Sequence, residues 1–137
     1  MARQRLLQAL YQWQHTGQDV HEIEVQFLTE QEMGKVEVPY FRELLHKILE
    51  SVEQLDAEIE PLLDRPMAQV DPVEKAILRI GTYELMHKPE IPYRVAINEG
   101  VELAKVYGAD QSHKYVNGIL DKIAQKLRAL EVKGKPK

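Results

Sequence analysis

Lys114, Tyr115 and Asn117 stand close together in SHKYVNGILDKIA, residues 112–124, where a regular apolar stretch begins. A cation, an aromatic face and an amide at one helix entrance suit single-stranded RNA. The unpaired N–H groups of a first helical turn favour a phosphate. A tyrosine ring can stack on an unpaired base, a contact of roughly 1–3 kcal/mol. Asn117 can bond a base edge or cap the turn. The same residues also fit a core tyrosine beside a solvated lysine, and residue types alone lean slightly toward that arrangement. Arg3 and Arg5 are terminal charges by default; only closeness to Lys114 would make them part of one basic patch.

Other chemistry finds little material. The five histidines (His15, His21, His46, His87, His113) include no pair at i, i+3 or i+4, so a helical metal site has no obvious ligands. There is no P-loop, no GxGxxG and no GxSxG. No catalytic residue, metal or cofactor is expected. Glu84, beside Tyr83 and Leu85, and Glu99, beside Asn98, suit buried positions with structural hydrogen bonds. The absence of cysteine excludes disulfides, zinc–thiolate sites and thiol catalysis, and fits a reducing cytoplasm.

A length of 137 residues favours one domain with a core that needs no staples. No apolar run approaches the ~20 residues that span a bilayer, and MARQRLLQALYQWQ is amphipathic rather than signal-like. The formal charge is −4, which disfavours nonspecific nucleic-acid binding by the whole surface. Its distribution is uneven. Residues 19–37 carry six acids against Lys35, whereas residues 112–137 carry seven Lys or Arg against Asp121 and Glu131.

The elements that must position these groups are helical, with no alternating strand pattern. Leu6, Ala9, Leu10 and Trp13 mark a first helix that Gly17 stops. Val20, Ile23, Phe27 and Leu28 mark a second, ending by Gly34. Val38-Pro39 opens a third whose stripe runs from Phe41 to Leu62, with a break expected near Ser51 to Asp56. Asp71-Pro72-Val73-Glu74 is a strong start: Asp71 caps, Pro72 takes the first position, and Glu74 can complete a capping box. Pro92 starts a helix that runs to about Tyr107, with Gly108 as its stop. Asp110 or Ser112 caps the last, whose face is Val116, Ile119, Leu120, Ile123, Leu127 and Leu130. Short loops predict antiparallel neighbours in an all-α bundle. The domain is expected over 1–130, with a disordered basic tail at 131–137.

In this order the segments QALYQWQ (8–14), QFLTEQ (26–31), VPYFRELL (38–45), DPVEKAILRIGTYEL (71–85), IPYRVAINEGVELAK (91–105) and SHKYVNGILDKIA (112–124) resemble the NusB family of transcription antitermination factors. The resemblance spans nearly the whole chain, and the ordered set is specific where each motif alone is weak. It implies an all-α, compact bundle of about seven helices in two packed helical subdomains, and no catalysis. It implies a cytoplasmic factor that binds boxA RNA of ribosomal RNA transcripts as a heterodimer with NusE, a small-subunit ribosomal protein. That pair then joins the RNA polymerase antitermination complex. Some members form a homodimer that hides the RNA surface. Carried over by position, the family's RNA surface falls on Arg3, Lys114, Tyr115 and Asn117, and its NusE contacts on Tyr11 and Glu74.

Three departures qualify the resemblance. The family has several arginines before its first helix, and here only Arg3 and Arg5 stand nearby, so either the start is trimmed or RNA affinity leans on the partner. Gly100 replaces the usual alanine. Gln111 stands where the family can carry an acid. Two other functions stay open on the sequence: a protein-interaction adaptor without RNA binding, and a detached RNA-binding domain of a ribosomal RNA methyltransferase.

Overall fold

The computed structural model describes residues 2–29 and 37–134. Among them are eight α-helices, two short 3₁₀ turns and no strand. The helices are α1 (Ala2–Thr16), α2 (Val20–Thr29), α3 (Val38–Glu50), α4 (Val52–Ile59), α5 (Pro72–His87), α6 (Tyr93–Tyr107), α7 (Ser112–Leu127) and α8 (Ala129–Lys133). The all-α fold expected from the sequence is the one observed. The chain divides into two compact units, Met1–Val52 and Glu53–Lys137.

In the first unit α1, α2 and α3 pack on one another. Gly17 ends α1 as expected: it adopts φ 66°, where an L side chain is strained, and its N–H bonds Trp13 O at 2.8 Å. α3 is amphipathic, burying Phe41, Leu44, Leu45 and Ile48 while Arg42, Glu43, Lys47 and Glu50 face solvent. Phe41 stacks on Phe27 of α2 with centroids 5.9 Å apart. Ser51 breaks the long stripe, its N–H turning back to Ile48 O at 3.0 Å. Glu24 of α2 is buried, and accepts from Arg42 at 2.7 Å with His46 Nε2 at 3.2 Å. Burial pushes this carboxyl up, but the hydrogen bonds of Arg42 and His46 outweigh it and leave it below the usual glutamate range. The expected stop at Gly34 lies outside the described residues.

The second unit is built around α5, which is buried without interruption from Ala76 to Leu85. A helix hidden on every side must satisfy its polar groups internally. Arg79 does so with a two-pronged bond to Asp56 of α4, at 3.0 and 2.8 Å. Glu84 is buried as the sequence suggested, and Glu99 is half-buried. Leu120 of α7 fills a slot between α5 and α6 that two glycines leave open. A Cβ at Gly81 would lie 2.8 Å from Leu120 Cδ2, and one at Gly100 would lie 3.0 Å from Cδ1. The helix-interior cost of Gly100, roughly 0.5–1 kcal/mol, thus has close packing on its other side.

Arg128 stands apart from the exposed lysines near it in the chain. It is buried just past α7, and its guanidinium makes five bonds: Nε to Leu85 O (2.8 Å), Nη1 to Ile91 O (2.9 Å) and Glu131 Oε1 (2.6 Å), Nη2 to Glu84 O (3.1 Å) and Lys88 O (2.9 Å). The carbonyls belong to the end of α5 and the turn after it, where the negative end of the helix dipole lies; Glu84 O and Lys88 O also accept from the N–H groups of Lys88 and Ile91, at 3.0 and 2.9 Å. Glu131 also accepts from Tyr93 N at 2.8 Å, at the start of α6. These bonds hold α8 in place, so residues 131–133 are helical where a tail was expected; residues 135–137 lie outside the described ones. Replacing Arg128 with Met takes the donor from the Leu85 and Ile91 carbonyls and from Glu131, while Glu84 O and Lys88 O keep the N–H groups of Lys88 and Ile91. Denaturant unfolding is expected to show a loss on the order of 3 kcal/mol. A loss near zero would mean that water satisfies those carbonyls equally well.

Candidate nucleic-acid interface

The entrance of α7 is set by a sequence of local constraints. α6 closes with Gly108 N bonding Ala104 O at 2.9 Å. Gly108 is extended (φ −87°, ψ 172°) and so is not needed for its conformation. It is needed for room: a Cβ there would meet Ser112 Cβ and Ala104 O, both at 2.8 Å. Ser112 is 2 % exposed and donates its hydroxyl to Glu74 Oε2 at 2.6 Å. Asp71 caps α5 as expected, accepting from Val73 N at 2.8 Å and Glu74 N at 3.2 Å. The Glu74 carboxylate reaches Ser112 of α7 instead of completing a capping box.

The expected cap of α7 is corrected here. Neither Asp110 nor Ser112 occupies that position; Gln111 does, with φ 73°, ψ −5° and no side-chain cap bond. A left-handed glutamine costs about 1 kcal/mol relative to an ordinary conformation. The chain accepts it because Ser112 must point inward to Glu74.

The first turn that follows contains no acid. Lys114 and Asn117 are exposed and Tyr115 is half-buried beside them. Tyr115 is neither a fully buried core ring nor a free one. Its hydroxyl donates to Asp64 Oδ1 at 3.0 Å, and the Arg65 guanidinium lies 5.2 Å from its ring centroid. Arg65 also grips Asp64 with two bonds, Nε–Oδ1 at 2.7 Å and Nη2–Oδ2 at 2.9 Å. Arg65 first, and then the Tyr115 hydroxyl, hold the Asp64 carboxyl down to about 2. Burial pushes the Tyr115 phenol up, and its bond to Asp64 adds to the shift. Sequence reasoning missed Asp64 and Arg65. They sit 51 residues from Tyr115, in a turn whose composition signals nothing about what it covers.

The remaining candidates fall in different places. Glu74 is in the second unit with Lys114, Tyr115 and Asn117, but it is 8 % exposed and engaged with Ser112. Arg3 and Tyr11 are in the first unit. Arg3 sits in the first turn of α1 with its guanidinium 5.9 Å from the Tyr40 ring centroid, so it is an ordered helical residue rather than a loose terminal charge. Tyr11 is 40 % exposed and meets His15 edge-on at 4.3 Å. Among the described residues no cluster of His, Asp and Glu could hold a metal ion, and no helix is long and apolar enough to cross a membrane.

Comparison with known proteins agrees with this architecture. The model of the NusB family matches residues 1–125. The chain is 55% identical over 130 residues to the transcription antitermination protein NusB of Alcanivorax borkumensis, covering 95% of this chain and 87% of the relative. It is 53% identical over 134 residues to the protein of the same name from Nitrosococcus oceani, covering 98% and 90%. A solved T. maritima NusB superposes with a TM-score of 0.85 at 31% identity, covering 97% of this chain and 95% of the other.

If the Ser112–Glu74 bond holds this entrance together, Ser112→Ala strands a buried carboxylate and lowers stability by about 1–3 kcal/mol. Glu74→Gln, which keeps an acceptor for the hydroxyl, is expected to lose less. Chemical denaturation of both variants checks this; a larger loss in Glu74→Gln than in Ser112→Ala would show that the charge, and not the hydrogen bond, is what matters.

Proposed function

The chain belongs to the NusB family of transcription antitermination proteins, and from that premise we propose that it binds boxA RNA of ribosomal RNA transcripts together with NusE. In this reading the pair joins the RNA polymerase antitermination complex in the cytoplasm and suppresses premature termination. The protein works by binding, without catalysis or a cofactor.

The observation that carries the reading is the composition of the α7 entrance. Lys114 is exposed beside Tyr115 in a first turn with no acid, and Asn117 is exposed in the turn that follows. A cation at a helix N-terminus opposes the dipole and costs the helix a few tenths of a kcal/mol or more. A cation set against the α7 dipole, in a protein with a net charge of −4, is readily understood if a polyanion binds there. Lys114 and Arg3 contact phosphates and position the strand, while Tyr115 and Asn117 read unpaired bases by stacking and hydrogen bonding.

The NusE contact is assigned to Tyr11, whose ring is exposed on α1, and to the start of α5 at Glu74. Because the Glu74 carboxylate is held by Ser112, it serves that contact by fixing the local backbone and not as a free charge. The adaptor reading makes the opposite claim about RNA, and one titration separates the two.

Labelled boxA RNA is titrated with the protein alone and with NusE. Lys114→Ala and Arg3→Ala are each expected to weaken binding and to reduce the salt slope by about 0.7 for every phosphate that is no longer neutralised. Unchanged affinity and slope in both variants would remove these residues from the site, and no RNA binding under either condition would favour the adaptor. Tyr115→Ala is expected to cost more affinity than Tyr115→Phe, since stacking needs the ring and not the hydroxyl. Equal losses would instead assign Tyr115 a role through its bond to Asp64.

A further inference from the structure

The turn that precedes α5 places an arginine, Arg65, at the α7 entrance, and it is not free there. Arg65 lies over the Tyr115 ring while its Nε and Nη2 are engaged by Asp64, and Asp64 in turn accepts the Tyr115 hydroxyl. The three side chains form a closed set: carboxylate to guanidinium, guanidinium to ring, ring hydroxyl to carboxylate. Arg65 and Asp64 remain substantially exposed, 42% and 60%, so packing does not lock the set.

We propose that Arg65 is a further RNA-contacting residue, and that Asp64 and Arg65 form a clasp that must exchange partners when the strand binds. This rests on the RNA reading of the α7 entrance. A base stacked on Tyr115 needs about the spacing of two stacked rings if it is to fit between the phenol and the guanidinium. The 5.2 Å separation from Arg65 to the ring centroid is too small for that. A base taking the covered face must therefore displace Arg65. Displaced, the guanidinium leaves one two-pronged acceptor, the Asp64 carboxylate, for another of matching geometry, a backbone phosphate. Asp64 keeps the Tyr115 hydroxyl and so holds the ring in place for the incoming base.

The clasp has a consequence that simple charge does not. In the free protein Asp64 neutralises Arg65 and competes with the RNA for it. Weakening that competition strengthens RNA binding, but only while Arg65 is present.

The test is a double-mutant cycle with wild type, Asp64→Asn, Arg65→Ala and the double variant, each with NusE and a labelled single-stranded boxA RNA at several salt concentrations. Asp64→Asn is expected to bind tighter by up to about fivefold, the ceiling set by an exposed ion pair. Arg65→Ala is expected to bind more weakly, with a salt slope shallower by about 0.7. In the Arg65→Ala background, Asp64→Asn is expected to add nothing. An equal gain in both backgrounds means Asp64 acts by its own charge and overturns the exchange. An unchanged slope in Arg65→Ala removes Arg65 from the RNA contact. Lys114→Ala, run alongside, reports on the underlying reading: if it weakens binding while the cycle shows no coupling, only the clasp fails. If wild type binds no RNA, both fail.

Discussion

The α7 entrance depends on the 2.6 Å hydrogen bond from Ser112 to Glu74. Both groups are buried, so each would carry a desolvation penalty without the other. The bond draws the first residue of α7 against the first turn of α5, and the neighbouring residues follow from that requirement. Gly108 has no side chain because a Cβ would collide with Ser112. Gln111 adopts a left-handed backbone so that Ser112 can turn inward. At the far end, Arg128 fastens the exit of α7 to the carbonyls that end α5. Start bonds to start and end to end, so α5 and α7 run parallel with α6 returning between them in the chain. The antiparallel arrangement expected from short loops holds for α6 against each of them and not for this pair. A helix tied at both ends to a fully buried neighbour presents its first turn in one place, which is what a binding site on rigid elements requires.

Electrostatics then sets the character of that turn. The chain puts Lys114 at the beginning of α7, where the helix dipole disfavours it, and holds Arg65 against Asp64 beside Tyr115. Helix stability alone would place an acid at that start. In the proposed reading, Lys114 recruits phosphate while a nearby guanidinium is kept in reserve on a carboxylate.

Much of this was legible in the sequence, for local reasons. The Asp71-Pro72 cap, the stop at Gly17 and the break at Ser51 are decided by residues within one turn of each other. The apolar stripes predicted the buried face of α3 and that of α7 as far as Ile123; Leu130, counted in the last stripe, is exposed on α8, and α5 is buried all round instead of on one face. What stayed hidden depends on partners distant in the chain. Arg128 sits in a lysine-rich stretch, and nothing nearby reveals that the carbonyls of residues 84–91 are waiting for it. Ser112 has the right residue type for a helix cap, and only the position of Glu74 turns it inward. Asp64 and Arg65 reach Tyr115 across 51 residues. Gly100 looked like a weakened helix until Leu120 was placed beside it.

The most direct test of the account is to follow the backbone amides of the protein by NMR as boxA RNA is added in the presence of NusE, against a NusE-only reference. The account predicts that the RNA-dependent shifts gather at residues 111–118 and 63–66 and at the first turn of α1. Shifts confined to other surfaces, with the α7 entrance unmoved at saturating RNA, would contradict it.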